Sequence, residues 1–493
     1  MSKQDTYSHI LKYTGLFGGV QGLNILINII RNKLVAMILG PDGMGLISLF
    51  SATVKLISDS TSLGIPVSAV KNLSHDEAHH DQQHKERTVA MIRSWSLLTG
   101  LAGMWIMLLL SPLLNKWIFT WGDHTLHFAL LSPAILFTAL GGGELAILKG
   151  MRELRRLAST SLLTVLGLFV FSVPLYYVWG EAAIVPSLVL LAMMQWGITV
   201  RLTSRLFPLR YSFSKSSLGE GMGMVRLGIA FTLAGIMSSG AEFVIRTFLN
   251  INADLPTLGL YNAGYVMTMT YAGMIFSAME TDYFPRLSAI HGTGKALNDC
   301  VNRQIEVSLL LASPMLACFM IGMPVILPLL YTGQFIEVLP MTQAAVLAMY
   351  LRAIILPIAY LPLSKGDSWS FLFMEGASSA TIVLFVITGW YAYELTGTGL
   401  GILVSACVEV CILVCYMRWK YGYRPSSGAI TVMLQQLPLG LAAYLVTLSA
   451  TPWLYWIFGC AVIAVSTAAS LNILRKKTRL WEKLKAKFKK RIG

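Results

Sequence analysis

Five cations stand inside long apolar runs: Arg31, Lys33, Lys55, Arg246 and Arg352. A cation near the centre of a bilayer-spanning helix costs about 2.5–3.5 kcal/mol. Five of them cost on the order of 12–17 kcal/mol, an upper bound because residues near helix ends can snorkel, and that rivals the stability of a whole domain. Such groups are expected to face a hydrated cavity, and a cavity lined by cations selects an anion. The same runs carry the acids Asp59, Glu144, Glu242 and Glu409, with Glu280, Asp282, Glu375 and Glu394 nearer helix ends. Each acid either neutralises a cavity cation or is a site at which H+ or Na+ couples to the chemistry.

The elements that must position these groups follow from composition. Of 493 residues, 55% are hydrophobic and only 13% are charged, against about 25% charged in an ordinary soluble domain. Apolar runs repeatedly reach about 18–25 residues, the length that spans a bilayer. A soluble multidomain enzyme is thereby excluded. The reading predicts an all-α integral membrane protein with about fourteen transmembrane helices, near 12–39, 43–70, 89–113, 126–148, 157–179, 183–203, 224–249, 257–282, 304–330, 338–361, 369–392, 398–418, 429–449 and 453–474. The start MSKQDTYSHILKYTG has no cleavage-site pattern, so the first run is expected to be retained as a helix.

The net charge of +14 could suggest nucleic acid until the cations are located. Ten of them lie in the tail Arg475–Arg491 and most others in alternate connectors, such as Lys71/Lys85/Arg87/Arg93 and Lys149/Arg152/Arg155/Arg156. This is a membrane-topology signal, and it places both termini in the cytoplasm. In the tail, Trp481, Leu484, Phe488 and Ile492 recur at helical spacing, which suits either a helix on an anionic leaflet or a solvated basic tail. His75, His79, His80 and His84 are read as part of a solvated connector, and Cys407, Cys411 and Cys415 as small packing residues, so no metal site is expected. The string HGTGKAL around Lys295 lacks GxxxxGK[ST], so neither a nucleotide nor any other cofactor is expected.

Fixed-offset self-similarity carries more information than any local motif. Gly45-Leu46 recurs as Gly259-Leu260, Leu73-Ser74 as Leu287-Ser288, and Lys149-Gly150 as Lys365-Gly366, at offsets of 214, 214 and 216. Each pair falls at the corresponding point of the span map. Spans one to six and seven to twelve thus read as two copies of one orientation, related by a pseudo-two-fold along the membrane normal, an alternating-access transporter architecture. The expected organisation is an N-lobe over 1–215, a C-lobe over 216–424, two further helices over 425–474 and a basic amphipathic cytoplasmic tail over 475–493. Lys33 precedes Gly45 by 12 residues and Arg246 precedes Gly259 by 13, so these cations are expected to face each other across the cavity as a clamp for phosphate or pyrophosphate. The alternative is that Glu242 and Arg246, at i and i+4, neutralise each other on one helix.

The stretch KLVAMILGPDGMGLISLF (Lys33–Phe50), followed by SDSTSLGIPVSAVKNLS, resembles the first two helices of the Wzx polysaccharide flippases. LKGMRELRRLAS, YFPRLS and PLSKGDSWSFLFMEG match that family in kind and order, so the resemblance covers essentially the whole chain. The family lies in the multidrug/oligosaccharidyl-lipid/polysaccharide exporter superfamily. The resemblance implies two six-helix lobes with two extra C-terminal helices, in the bacterial cytoplasmic (inner) membrane. It further implies translocation of an undecaprenyl-pyrophosphate-linked oligosaccharide to the outer leaflet, ahead of polymerisation into O-antigen, capsule or a related glycan. Lys33 falls on the family's common basic position before LGP, whereas Arg31 and Lys55 match no family position and rest on the bilayer-cost argument. The implied partners are the lipid-linked substrate, membrane lipids and glycan polymerase machinery.

A peptidoglycan lipid-precursor flippase shares the helix count and the need for a cationic cavity. A multidrug cation exporter of the same superfamily would have twelve helices and an acidic cavity, and both expectations fail. A glycan polymerase or ligase would carry a sizeable outward loop, and every predicted outward connector is short. The sequence therefore reads as a transporter, with no catalytic residue.

Overall fold

The computed structural model describes residues 3–79, 82–290, 292, 294–449 and 451–477. Helices follow one another as α1 (Lys3–Thr61), α2 (Ile65–His79), α3 (Gln82–Ile118), α4 (Thr125–Gly150), α5 (Leu154–Trp179), α6 (Ile184–Thr203), α7 (Lys215–Asn252), α8 (Leu255–Tyr265), α9 (Met274–Ser288), α10 (Lys295–Leu330), α11 (Leu339–Ser364), α12 (Ser368–Tyr421), α13 (Ser427–Thr447) and α14 (Pro452–Lys477). The fold is all-α and multi-pass, and among the described residues ten helical stretches are long and apolar enough to cross a membrane.

That number differs from fourteen because some predicted spans run together. The first span and most of the second form α1, broken only at Gly40 (φ 63°, ψ −169°). Pro41 then restarts the helix from a φ it already holds. The eleventh and twelfth spans form α12, interrupted at Tyr393 and Glu394. The eighth divides into α8, a π-helical segment Val266–Ala272, and α9. The second predicted span also breaks at Leu63–Gly64, both at positive φ, and α2 carries the helix on to His79, into what the sequence marks as a connector. Polar caps set other boundaries: Asp367 accepts the Ser370 amide at the start of α12, and Ser426 accepts the Ala429 amide at the start of α13.

The helices gather into two units, Met1–Leu260 with Leu330–Gln334, and Tyr261–Leu329 with Phe335–Gly493. In the first, α4 packs on α3 and α6, α1 lies on α5, and α7, which the sequence count assigns to the second lobe, packs on α1, α2 and α3. In the second, α11 lies against α12, α13 and α9, and α13 pairs with α14. There Gln436 joins Ser466 and Ser470, and Asn302 holds the backbone of Arg424 and Ser426, tying α10 to the α12–α13 junction.

The repeated dipeptides neither all mark helix ends nor divide one to a unit: Gly45-Leu46 lies within α1 and Gly259-Leu260 within α8, both in the first unit, and Leu73-Ser74 lies inside α2. Leu46 and Leu260, and Leu73 and Leu287, are all buried. In the first unit the Ser74 hydroxyl donates to the Gly150 carbonyl (3.3 Å), docking α2 on the end of α4. In the second, Lys365 Nζ donates to the Ile290 carbonyl (2.6 Å), docking the end of α11 just beyond α9. Gly45 and Gly259 meet within the first unit. A Cβ on Gly45 would lie 2.5 Å from the Leu255 carbonyl oxygen, and one on Gly259 would collide with that of Pro41.

Candidate functional site

Beyond Gly40 the phase of α1 sets Ser51, Lys55, Ser58 and Asp59 along one face, at i, i+4, i+7 and i+8. That face forms one wall of a cavity of about 320 Å³, closed by Thr138 of α4, Thr164 of α5, Gln195 of α6 and aliphatic neighbours. Lys55 lies in the middle of a membrane-length helix, yet its side chain is 48% exposed. The cavity is where that exposure leads.

Lys55 Nζ pairs with Glu242 Oε1 at 2.8 Å, and Glu242 Oε2 pairs with Arg246 Nη1 at 2.9 Å. Arg246 Nε in turn donates to Ser48 Oγ at 2.8 Å. Glu242 thus bridges two cations from different helices, and the triad carries one positive charge in excess. The Arg246 side chain is 9% exposed, so its carboxylate contact is largely dry and strong, whereas that of Lys55 is wet and exchangeable. Ser239 of α7 stands beside Asp59, one turn on from Lys55.

The other predicted residues separate from this group. Arg31 Nε donates to Ser172 Oγ of α5 (2.9 Å), and Tyr176 below it bonds Ser187 (2.6 Å). Lys33 is half-buried on α1, seven residues before the break at Gly40. Neither is among the described residues lining the cavity. Arg352 belongs to the second unit. It reaches Met269 Sδ (4.0 Å) in the π-helical segment and acts on Glu375 and Glu409 of α12, where Ser378 bonds Glu409.

Glu144 is committed elsewhere. Its carboxylate receives Arg93 Nε at 2.7 Å and Arg93 Nη2 at 3.2 Å, and accepts the Thr203 hydroxyl. Arg93 also donates to the Pro208 carbonyl (2.7 Å), so one buried pair fastens α3, α4 and α6 to the chain beyond α6. The sequence reading groups Arg93 with the connector cations, although the predicted span 89–113 already contains it. It also passes over Thr138, Thr164 and Gln195 as unranked polar positions. Nothing in the sequence sets them apart from the other uncharged polar groups of these helices, such as Ser132, Ser172 and Thr199.

Two smaller expectations change. Cys407, Cys411 and Cys415 are exposed along α12 rather than packed inside. The histidine-rich stretch is helical at both ends, through His79 and from Gln82, while His80 and the side chains of His75 and His79 lie outside the described residues. So do the tail residues Trp481, Leu484, Phe488 and Ile492. Among the described residues no cluster of three or more His, Cys, Asp or Glu is placed to hold a metal.

The pattern of the polysaccharide biosynthesis proteins matches residues 34–340. The chain belongs to that family. Its fold is shared with solved transporters at low sequence identity. Against the lipid II flippase MurJ in an inward closed conformation the TM-score is 0.72 at 13% identity, covering 94% of this chain and all of MurJ. Against an inward-facing multidrug resistance MATE family transporter of the MOP superfamily it is 0.66 at 15% identity, covering 81% of this chain and 94% of that one. The outward-facing form gives 0.59 at 15% identity, over 83% and 93%. A search of curated proteins finds no match.

Proposed function

We propose that this protein is a flippase moving an undecaprenyl-pyrophosphate-linked oligosaccharide from the cytoplasmic to the outer leaflet of the bacterial inner membrane by alternating access. The observation that carries the reading is Lys55, half-exposed to a polar cavity inside a membrane-length helix and held there by a carboxylate that a second cation shares. A diphosphate entering the cavity offers Lys55 a stronger acceptor than Glu242. Lys55 exchanges partners, and Glu242 keeps its charge satisfied on Arg246, so no ion is stranded. Arg246 positions Glu242 and Lys55 meets the substrate; Lys33 and Arg31 of the first unit and Arg352 of the second are further cations proposed for the diphosphate. The polyprenyl tail stays in lipid while the head group crosses. An ion gradient or the membrane potential supplies the drive, with Asp59, Glu242 or Glu409 as the acids at which H+ or Na+ would couple. Both termini are cytoplasmic, and the product leaflet faces the glycan polymerase machinery.

Family membership supports a glycan substrate over a drug. The MurJ-like fold keeps a second reading in view, a flippase for the peptidoglycan lipid precursor. The test uses cells deleted for the gene and carrying the intact protein, Lys55→Ala or Arg246→Ala. Accumulation of the lipid-linked unit with loss of surface glycan, reversed by the intact protein alone, is the expected result. Unchanged glycan with new sensitivity to cationic drugs overturns it, and rescue of a missing peptidoglycan flippase selects the second reading.

A further inference from the structure

The cavity beside Lys55 has a chemistry of its own. We infer that it is a sugar-binding subsite, taking the ring of the glycan that adjoins the phosphate held by Lys55; this rests on the flippase reading above. Its polar lining is drawn from four helices: Ser58 and Asp59 from α1, Thr138 from α4, Thr164 from α5 and Gln195 from α6. Hydroxyls, an amide and one carboxylate are the groups that pair with a neutral polyol, each able to accept or donate to a ring hydroxyl. A second phosphate site would need further cations, and a pocket for flat cationic drugs would need aromatic walls. Among the described lining residues Lys55 is the one cation and none is aromatic.

Two further observations point to a ligand. Thr164 lines this polar space, and its hydroxyl is buried without a hydrogen-bond partner; a hydroxyl left in that state gains from any donor or acceptor brought within its reach. Thr138, also in the lining, donates its hydroxyl to the Ala134 carbonyl (2.7 Å), which leaves its oxygen free to accept. The volume of about 320 Å³ sits at the small end of ligand pockets, enough for a ring or two and too little for a whole oligosaccharide. Lys55 and Asp59 are one helical turn apart on the same wall, so a phosphate at the first sets the sugar it esterifies against the second. The remaining sugars extend away from this pocket and are not read by it.

The test uses the full chain in lipid nanodiscs with two probes, undecaprenyl pyrophosphate and the same lipid carrying one N-acetylhexosamine. The intact protein is expected to prefer the glycosylated lipid. Thr164→Val with Gln195→Leu should weaken its binding by about 25-fold, about fivefold for each hydrogen bond lost, while binding of the bare lipid stays unchanged. Thr164→Ser, which keeps the hydroxyl, should retain the preference. Equal binding of both probes by the intact protein, or a preference surviving the double substitution, overturns the subsite and leaves the flippase standing. Binding of neither probe by the intact protein overturns the flippase reading, and the subsite falls with it.

Discussion

On the function proposed above, Lys55→Met separates a group that meets substrate from one that holds the fold. The Lys55 side chain is 48% exposed and that of Glu242 22%, so solvent screens their pair to about 0.5–1 kcal/mol. Removing Lys55 strands nothing, because Glu242 remains on Arg246 at 2.9 Å. Glu242→Ala removes the carboxylate from an Arg246 side chain only 9% exposed, leaving it Ser48 as the neutral partner described. Removing one partner from a largely buried ion pair costs about 3–5 kcal/mol. In detergent, Lys55→Met should therefore melt within about 2–4 °C of the intact protein, and Glu242→Ala should lose several times as much. Surface glycan should nevertheless vanish in Lys55→Met cells. Tryptophan-fluorescence melting beside a glycan blot measures both quantities. A Lys55→Met protein that melts as early as Glu242→Ala, or that supports normal glycan, refutes the division of labour between the two cations.

Glu144→Ala should destabilise by about 3–5 kcal/mol, and the double replacement Arg93→Met/Glu144→Met should recover most of that, because an apolar pair avoids the desolvation that the ion pair must offset; a double variant no better than the single one refutes this. Gly259→Ala and Gly45→Ala should each cost about 1–3 kcal/mol by overpacking and should increase labelling of a Ser51→Cys reporter from the side of the membrane that the α1–α8 contact closes; unchanged labelling counts against that contact as a seal. At the α3–α4 loop, burial and then the neighbouring His127 push the His124 imidazole below its ordinary value against the pull of Asp123. The unfolded chain then takes up the proton first, so stability should fall as pH drops below about 6.5 and level off beneath the folded value. His124→Phe, which keeps the stacking on Phe119 (centroids 4.0 Å), should flatten that stretch of the melting-versus-pH curve.

Much of the architecture was legible because bilayer solvation leaves few options: a long apolar run must be a helix, and a charge within it must find water or a partner. That logic isolated Lys55, Arg246, Glu242 and Arg352 before any contact was visible. It could not choose partners, since partners depend on which helices pack. Arg246 and Lys33 looked equivalent by their distances to the repeated glycines, yet Arg246 is bound up with Ser48 and Glu242, while Lys55, which no repeat selects, faces the cavity. Arg93 shows the converse error: proximity to a cation-rich connector outweighed its place inside a predicted span, although its carboxylate partner, Glu144, was itself singled out. The break at Gly40 was legible as GPDG, but its brevity was not, because one glycine at positive φ leaves the helix for a single residue before Pro41 restarts it.

The cavity-bearing stretch of α1, Ser51 to Asp59, lies in sequence between two glycines at which backbone meets backbone. Gly45 approaches Leu255 and Gly259 at one end. At the other, Gly64 abuts Gly228 of α7, where a Cβ on Gly228 would sit 2.5 Å from the Leu63 carbonyl oxygen. The neighbours are backbone at the second contact and backbone with the aliphatic Leu255 side chain at the first, so each offers little beyond close van der Waals packing and can part without unpairing an ion or burying a polar group. The ion triad lies between them and joins α1 to α7 through a screened, exchangeable pair at Lys55 and a dry one at Arg246. On the function proposed above, a substrate anion that draws Lys55 away from Glu242 would weaken the grip of α7 on α1 at the level of the cavity, while the Arg246–Ser48 bond keeps the helices in register. On the flippase reading proposed above, head-group binding would couple to helix separation through Glu242, the carboxylate that Lys55 and Arg246 share.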